Sequence, residues 1–168
     1  VLFPKSPVDV EVRMQKQGAA NWQVPLISWQ DANVLRLAGN ASLDDKGAMS
    51  DLNLDVQFPD LGIARDRYLS GFLAPAGFPD LILSGGTQAK ISINQQQLEQ
   101  LDVKLQDINV IDNKARFTFA GLNGDVRWTQ GPDKVQSGFT WNNGAMYGIG
   151  LDSAKFVFSS ADGSLNLE

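Results

Sequence analysis

The chain has no cysteine and no histidine among its 168 residues. The lack of cysteine excludes disulfide bonds and thiolate chemistry, and the lack of both residue types removes the usual zinc ligands and the imidazole base. A catalytic site would have to use carboxylates, lysines or hydroxyls, and no pair of carboxylates is placed to act as acid and base. We therefore expect no enzymatic activity, no metal site and no cofactor.

Positive charge and long apolar segments are also scarce. The chain has 14 Lys and Arg residues against 19 Asp and Glu residues, which gives a formal net charge of −5. A net negative charge disfavours binding to a phosphate backbone, so we expect no nucleic-acid partner. No apolar run approaches the roughly 20 residues that a helix needs to cross a membrane.

The dominant positive feature is a regular alternation of apolar and polar residues. It is clearest between residues 114 and 168, where for example Phe117 and Phe119 flank Thr118. Because successive side chains of a strand point to opposite faces, this pattern predicts strands with one apolar and one polar face. Short turns rich in Gly, Asn and Asp separate about ten such strands.

Local irregularities predict where the strands bend. Pro25 predicts an edge strand or a bulge, and Gly85-Gly86 predicts a bulge or bend. The apolar residues change parity between Leu105 and Ile108, which predicts a bulge or corner near Gln106-Asp107. The sequence Asp44-Asp45-Lys46-Gly47 predicts a hairpin turn.

One segment departs from the strand pattern. Leu69, Phe72 and Leu73 have helical spacing, so we predict one short helix over residues 64–73, ended by Pro75, with Asp66 as a capping charge in its first turn. Short connections elsewhere favour antiparallel neighbours. The predicted fold is all-β and mainly antiparallel, an elongated, twisted, partly open sheet or groove with one short helix, and residues 1–168 form a single β-rich domain.

The apolar face of the strands is the candidate site. Two interpretations of this face stay open, since the same residues would form either the closed core of a sandwich or an apolar binding groove. The predicted groove residues are Leu54, Val56, Phe58, Ile91, Ile93, Phe117, Phe119, Val126, Trp128, Phe139, Trp141, Phe156 and Phe158.

About the last hundred residues of the chain resemble a known family. The stretch LDVKLQDINVIDNKARFTFAGLNGDVRW, from Leu101 to Trp128, is followed by SGFTWNNGAMYGIGLDSAKFVF, and the helix, proline break and LILSGG stretch from Tyr68 to Gly86 precede them. These phrases resemble the AsmA-like superfamily of Gram-negative envelope proteins, closest to the YdbH type.

The resemblance implies a function, a location and partners. Such proteins are longer and anchored at the inner membrane, so we expect this chain to be a fragment of a longer periplasmic envelope protein with an inner-membrane anchor. Its expected role is to handle or transport phospholipid between the inner and outer membranes, with acyl chains in an apolar β-groove. The alternative is a non-enzymatic interaction or structural module that binds other envelope proteins by strand addition at an open sheet edge.

Overall fold

The computed structural model describes residues 7–18 and 21–167. Strands dominate this part of the chain, and the predicted all-β fold class is confirmed. Twelve strands occur within the described residues: β1 (Asp9–Gln17), β2 (Asn21–Asp31), β3 (Leu35–Leu43), β4 (Met49–Phe58), β5 (Leu81–Asn94), β6 (Gln97–Asp112), β7 (Phe117–Thr129), β8 (Val135–Trp141), β9 (Asn143–Met146), β10 (Ile149–Leu151), β11 (Ala154–Ala161) and β12 (Ser164–Leu167).

All the strands belong to one open antiparallel sheet. Its order is β1-β2-β3-β4-β5-β6-β7-β8-β11-β12, and the short hairpin β9-β10 pairs with the beginning of β7. Each strand up to β8 is therefore the antiparallel neighbour of the next one along the chain, and all of these connections except β4–β5 are short. The sheet is open, and within the described residues β1 and β12 lie at the two ends of its strand order, while β10 forms a further short edge.

The predicted bulges are present. The pairing register shifts between Ser84 and Gly86 and again between Leu105 and Ile108. Gly85 has φ +89°, and a Cβ there would collide with the carbonyl oxygen of Asp107, so only glycine fits. Pro25 causes a register shift in β2, which lies inside the sheet. The bulge interpretation of Pro25 is confirmed and the edge-strand interpretation is wrong.

The β4–β5 connection contains the predicted helix in an irregular form. It consists of α1 (Leu61–Ala64), a π-helical turn (Arg65–Leu69) and α2 (Ser70–Leu73). The segment begins three residues earlier than predicted because the side chain of Asp60 accepts hydrogen bonds from the backbone N–H groups of Gly62 and Ile63. Asp60, and not Asp66, is therefore the N-cap.

The polar face of the sheet carries charge ladders. Directly opposed residues on four adjacent strands alternate in sign, from Asp55 through Lys90 and Asp102 to Arg127. Opposite charges facing each other across strands stabilise a pairing modestly and keep the face hydrated. The apolar residues therefore gather on the other face. Buried apolar side chains are Val24, Val34, Leu35, Leu61, Ala64, Leu81, Ile108 and Phe158.

Candidate functional site

The candidate site is the apolar face, on which cross-strand register aligns side chains in rows. One row runs from Trp29 to Val126, and a second runs from Ile27 to Trp128. Each crosses six strands, so it extends over five inter-strand spacings, or about 24 Å. The first row is Trp29, Leu37, Val56, Ala89, Val103 and Val126, and the second is Ile27, Gly39, Leu54, Ile91, Leu101 and Trp128.

The thirteen predicted groove residues lie on this one face. Strand pairing places Leu54 opposite Ile91 and Phe139 opposite Phe156, and ring contacts connect Phe119 to Trp141. Phe158 is buried, with 7% of its surface exposed, whereas Phe156 is 39% exposed and the other eleven are half-buried. This distribution differs from a sandwich core, in which a second layer would bury most of the inward side chains.

Aromatic rings form a ladder along one side of the face. Ring centroids are 5.8 Å apart between Phe119 and Trp141, 6.1 Å between Trp141 and Phe139, 5.5 Å between Phe139 and Phe156, and 5.7 Å between Phe156 and Phe158. These separations fall in the range in which aromatic pairs attract one another. The ladder joins β7, β8 and β11 into one aromatic surface.

The β8-β11-β12 region curls toward the apolar face. The Ser137 hydroxyl accepts a hydrogen bond from the N–H of Arg127 (2.7 Å) and donates one to its carbonyl (3.0 Å). The Ser160 hydroxyl similarly accepts from the N–H of Thr129 (3.1 Å), and the Trp128 indole N–H donates to the carbonyl of Gly163 (3.2 Å). Buried serines thus satisfy backbone groups that β8 leaves unpaired, and they turn the aromatic ladder inward.

The helical segment closes one end of the apolar face through a buried carboxylate. Asp31, at the end of β2, is fully buried and accepts two 3.0 Å hydrogen bonds from one guanidinium nitrogen of Arg67 and a 2.6 Å bond from the Tyr68 hydroxyl. The Trp29 indole N–H donates to that hydroxyl, and the two rings pack edge to face. Burial, followed by the bond to Asp31, raises the pKa of Tyr68, so its hydroxyl stays a donor at neutral pH.

A second ion pair fixes the other end of the same connection. Arg116 binds both carboxylate oxygens of Asp112, at 2.6 and 2.9 Å, and donates a 3.1 Å hydrogen bond to the carbonyl of Gly77. Its guanidinium lies 4.6 Å from the ring centroid of Phe78, which packs on Phe117. Hydrogen bonding to Arg116 lowers the pKa of Asp112 to about 2 and raises that of Arg116.

Several residues of the apolar rows were absent from the predicted groove. Ile27, Trp29, Leu37, Leu101 and Val103 lie in register with predicted members. Their alternation is visible in the sequence, but membership of a row depends on cross-strand register, and bulges at Pro25 and Gly85 change that register.

A hollow of about 570 Å³ opens on the opposite, polar side of the sheet. Seven of its eleven lining residues are polar or charged, among them Asp55, Lys90 and Asp102 of the charge ladder, so the hollow belongs to the hydrated face. The candidate lipid site is therefore the apolar surface and not this hollow. The lining consists of Ala38, Gly39, Asn40, Asn53, Leu54, Asp55, Lys90, Ile91, Ser92, Gln100 and Asp102.

Two further properties bear on possible chemistry. Within residues 7–18 and 21–167, acidic side chains do not gather in groups of three that would hold a metal ion. In the same ranges, helices are too short or too polar to span a membrane. The expectation that the chain is not an enzyme stays a prediction.

Comparisons with known proteins return no match: no protein-family model fits the chain, and neither the curated proteins nor the solved structures contain a significant relative. The AsmA-like resemblance is therefore an interpretation of the sequence phrases quoted above.

Proposed function

We propose that the apolar face binds phospholipid acyl chains, and that the chain is a segment of a periplasmic envelope protein that handles or transports phospholipid between the inner and outer membranes. The observation that carries the proposal is the pair of continuous apolar rows, of which Val56 and Trp128 are half-buried members on an open sheet. Exposed apolar areas larger than a few hundred Å² are rare on soluble proteins without a binding role.

The geometry gives each part of the face a role. The rows at β2 to β7 offer aliphatic contact along their length, and the ladder from Phe119 to Phe158 forms a curved aromatic wall beside them. An acyl chain needs contact with apolar atoms and makes no hydrogen bonds, which fits a face whose polar ladders lie on the other side. The helical segment, held by Asp31, covers one end.

Paired substitutions in adjacent residues test this function. Val56 belongs to an apolar row, whereas its neighbour Gln57 lies on the polar face. Val56→Asp should stay folded, since a carboxylate at a half-exposed position is hydrated, yet it should lose co-purifying lipid because it repels acyl chains. Gln57→Asp should keep the lipid. At the aromatic wall, Phe139→Asp repeats the test, and Thr140→Asp is its polar-face control. Phe119→Asp is a further apolar-face variant.

Lipid content is measured by organic extraction and mass spectrometry, and folding by circular dichroism. If the wild type carries no lipid and every apolar-face carboxylate unfolds the chain, the face is a closed packing surface and the proposal fails. Equal lipid loss in Val56→Asp and Gln57→Asp would also contradict it.

A second candidate function is a structural module that works through an open sheet edge. The specific observation in its favour is β1, in which all nine residues are exposed. A photo-crosslinking amino acid at Val12 would report any strand laid beside this edge, whatever its source. The absence of any protein adduct at Val12 would contradict this second candidate without affecting lipid binding.

A further inference from the structure

Among the described residues, strand β1 lies at the edge of the sheet and has a regular side-chain pattern. It pairs with β2 on one side, and within the described residues its other side has no strand partner. Val10, Val12 and Met14 are each 54% exposed. Val10 lies opposite Trp29 and Val12 opposite Ile27, so these side chains extend the two apolar rows to the edge of the sheet.

The alternation in β1 is uninterrupted although its pairing with β2 is not. Between the pairs Arg13–Leu26 and Gln15–Gln23, β1 advances two residues while β2 advances three, so the extra residue belongs to the proline-containing strand β2. Val10, Val12 and Met14 therefore share the apolar face. The intervening polar residues, Glu11 and Arg13 among them, share the other face.

We propose that two copies of the chain join edge to edge through β1, antiparallel, with Val12 of each copy facing Val12 of the other on a two-fold axis. In this register Val10 faces Met14 of the second copy on the apolar side. On the polar side Glu11 faces Arg13 of the second copy, and Arg13 faces its Glu11. The pairing satisfies backbone groups along an edge that otherwise depends on water.

Charge selects this register over its neighbours. Within one chain Glu11 and Arg13 already form a 2.7 Å ion pair, and both side chains are more than half exposed. The proposed register joins two such pairs into a square in which every charge adjoins opposite charges. If one copy slid so that residue 11 lay on the axis, Glu11 would face Glu11. If residue 13 lay on the axis, Arg13 would face Arg13. A slide that exchanges parity would put apolar side chains against polar ones.

The inference rests on the second candidate function, a module that works through an open sheet edge, because the inference names the strand that this edge receives. It does not depend on lipid binding. The two sheets would merge into one, with their apolar rows continuous across the axis. A second copy fits better than an unspecified strand because β1 complements itself in both charge and apolarity.

A charge-exchange experiment with the purified chain tests the inference. Sedimentation equilibrium should show the wild type associating to twice the 18.3 kDa chain mass. Glu11→Arg alone places Arg against Arg, and Arg13→Glu alone places Glu against Glu, so each variant should self-associate about tenfold or more weakly. An equal mixture of the two variants should regain association, because every facing pair is then opposite in charge. The double variant Glu11→Arg/Arg13→Glu should associate like the wild type.

Two further variants assign the association to β1. Val12→Lys puts two cations on the axis and should abolish it, whereas Leu165→Lys, at the 61% exposed position on the opposite edge strand β12, should leave it unchanged. A wild type that stays monomeric at all concentrations, or a dimer that only Leu165→Lys disrupts, overturns the inference. A Val12 crosslink to a foreign protein from a monomeric wild type also overturns it, yet leaves the second candidate function standing.

Discussion

The two ends of the apolar face differ in how completely they are packed. At the helical end, Asp31 and Ala64 are fully buried, and the connection is fixed by the Arg67–Asp31 ion pair and by a hydrogen bond from Arg116 to the carbonyl of Gly77. At the outer strand β1 the same face leaves Val12 54% exposed. Fully buried side chains are therefore found at the helical end, whereas most apolar side chains of the face are half-buried.

The largest difference in stability should separate two neighbouring phenylalanines of β11. Phe158 is 7% exposed and Phe156 is 39% exposed, although their rings are in contact. Phe158→Ala should lower the free energy of unfolding by about 3–5 kcal/mol, because it empties a buried site. Phe156→Ala should cost under about 2 kcal/mol because less apolar area returns to water. Urea denaturation measures both, and equal costs would contradict the distinction between buried corner and open face.

Removing the carboxylate at the helical end should have the next largest effect. Asp31→Ala leaves the Arg67 guanidinium and the Tyr68 hydroxyl without this acceptor, and should cost about 3 kcal/mol in the free energy of unfolding. Tyr68→Phe removes one hydrogen bond and should cost about 1 kcal/mol. Asp66→Ala is the control, because the Asp66 side chain is 69% exposed and its ion pair with Arg65 is hydrated. A loss in the control as large as in Asp31→Ala would mean that burial does not set the difference.

Acid should weaken the helical end through Asp112. The pKa of this carboxyl falls from its ordinary 3.8 to about 2 in the folded chain because Arg116 binds the charged form. A group with a depressed folded pKa stabilises the fold above its unfolded pKa, and that stabilisation is lost as pH falls from 3.8 toward 2. Asp112→Asn should therefore be less stable than wild type at neutral pH, and the gap should narrow in this acid range. A constant gap in urea midpoints across the range would contradict the assignment.

The smallest effect should come from the polar side of β7. Thr118 lies between Phe117 and Phe119 and points to the opposite face. Thr118→Ala should change the free energy of unfolding by less than about 0.5 kcal/mol, as polar-face substitutions usually do. Phe119→Ala should cost clearly more, since it removes the contact with the Trp141 ring. Similar costs for both variants would show that the alternation was assigned to the wrong faces.

Much of the fold followed from local signals in the sequence. The parity change between Leu105 and Ile108 located a bulge, since a one-residue slip is the local way to keep apolar residues on one face. Leu69, Phe72 and Leu73 indicated the helix. Its early start at Leu61 was missed, although Asp60 directly after Pro59 is a recognisable capping signal.

The features that depend on distant contacts could not be predicted. Asp31 and Arg67 are 36 residues apart in sequence, and nothing local to either shows that a fully buried carboxylate joins them. Nothing in the local sequence distinguishes Ser137 and Ser160 from other strand residues. Their hydrogen bonds to the backbone of β7 form only because the β8-β11-β12 region curls toward β7. Exposure along the apolar face follows from this curl, so sequence alone left both a closed core and an open groove possible.

Mapping where an acyl chain touches the protein tests the lipid proposal most directly. A phospholipid with a photoreactive group within its acyl chain would be crosslinked to the wild type, and the modified peptides would be identified by mass spectrometry. Adducts should concentrate on the apolar rows and the aromatic wall, for example at Val56, Trp128 and Phe139, and should spare the polar ladder at Lys90 and Asp102. Adducts spread equally over both faces, or adducts confined to the polar hollow, would contradict acyl-chain binding by the apolar face.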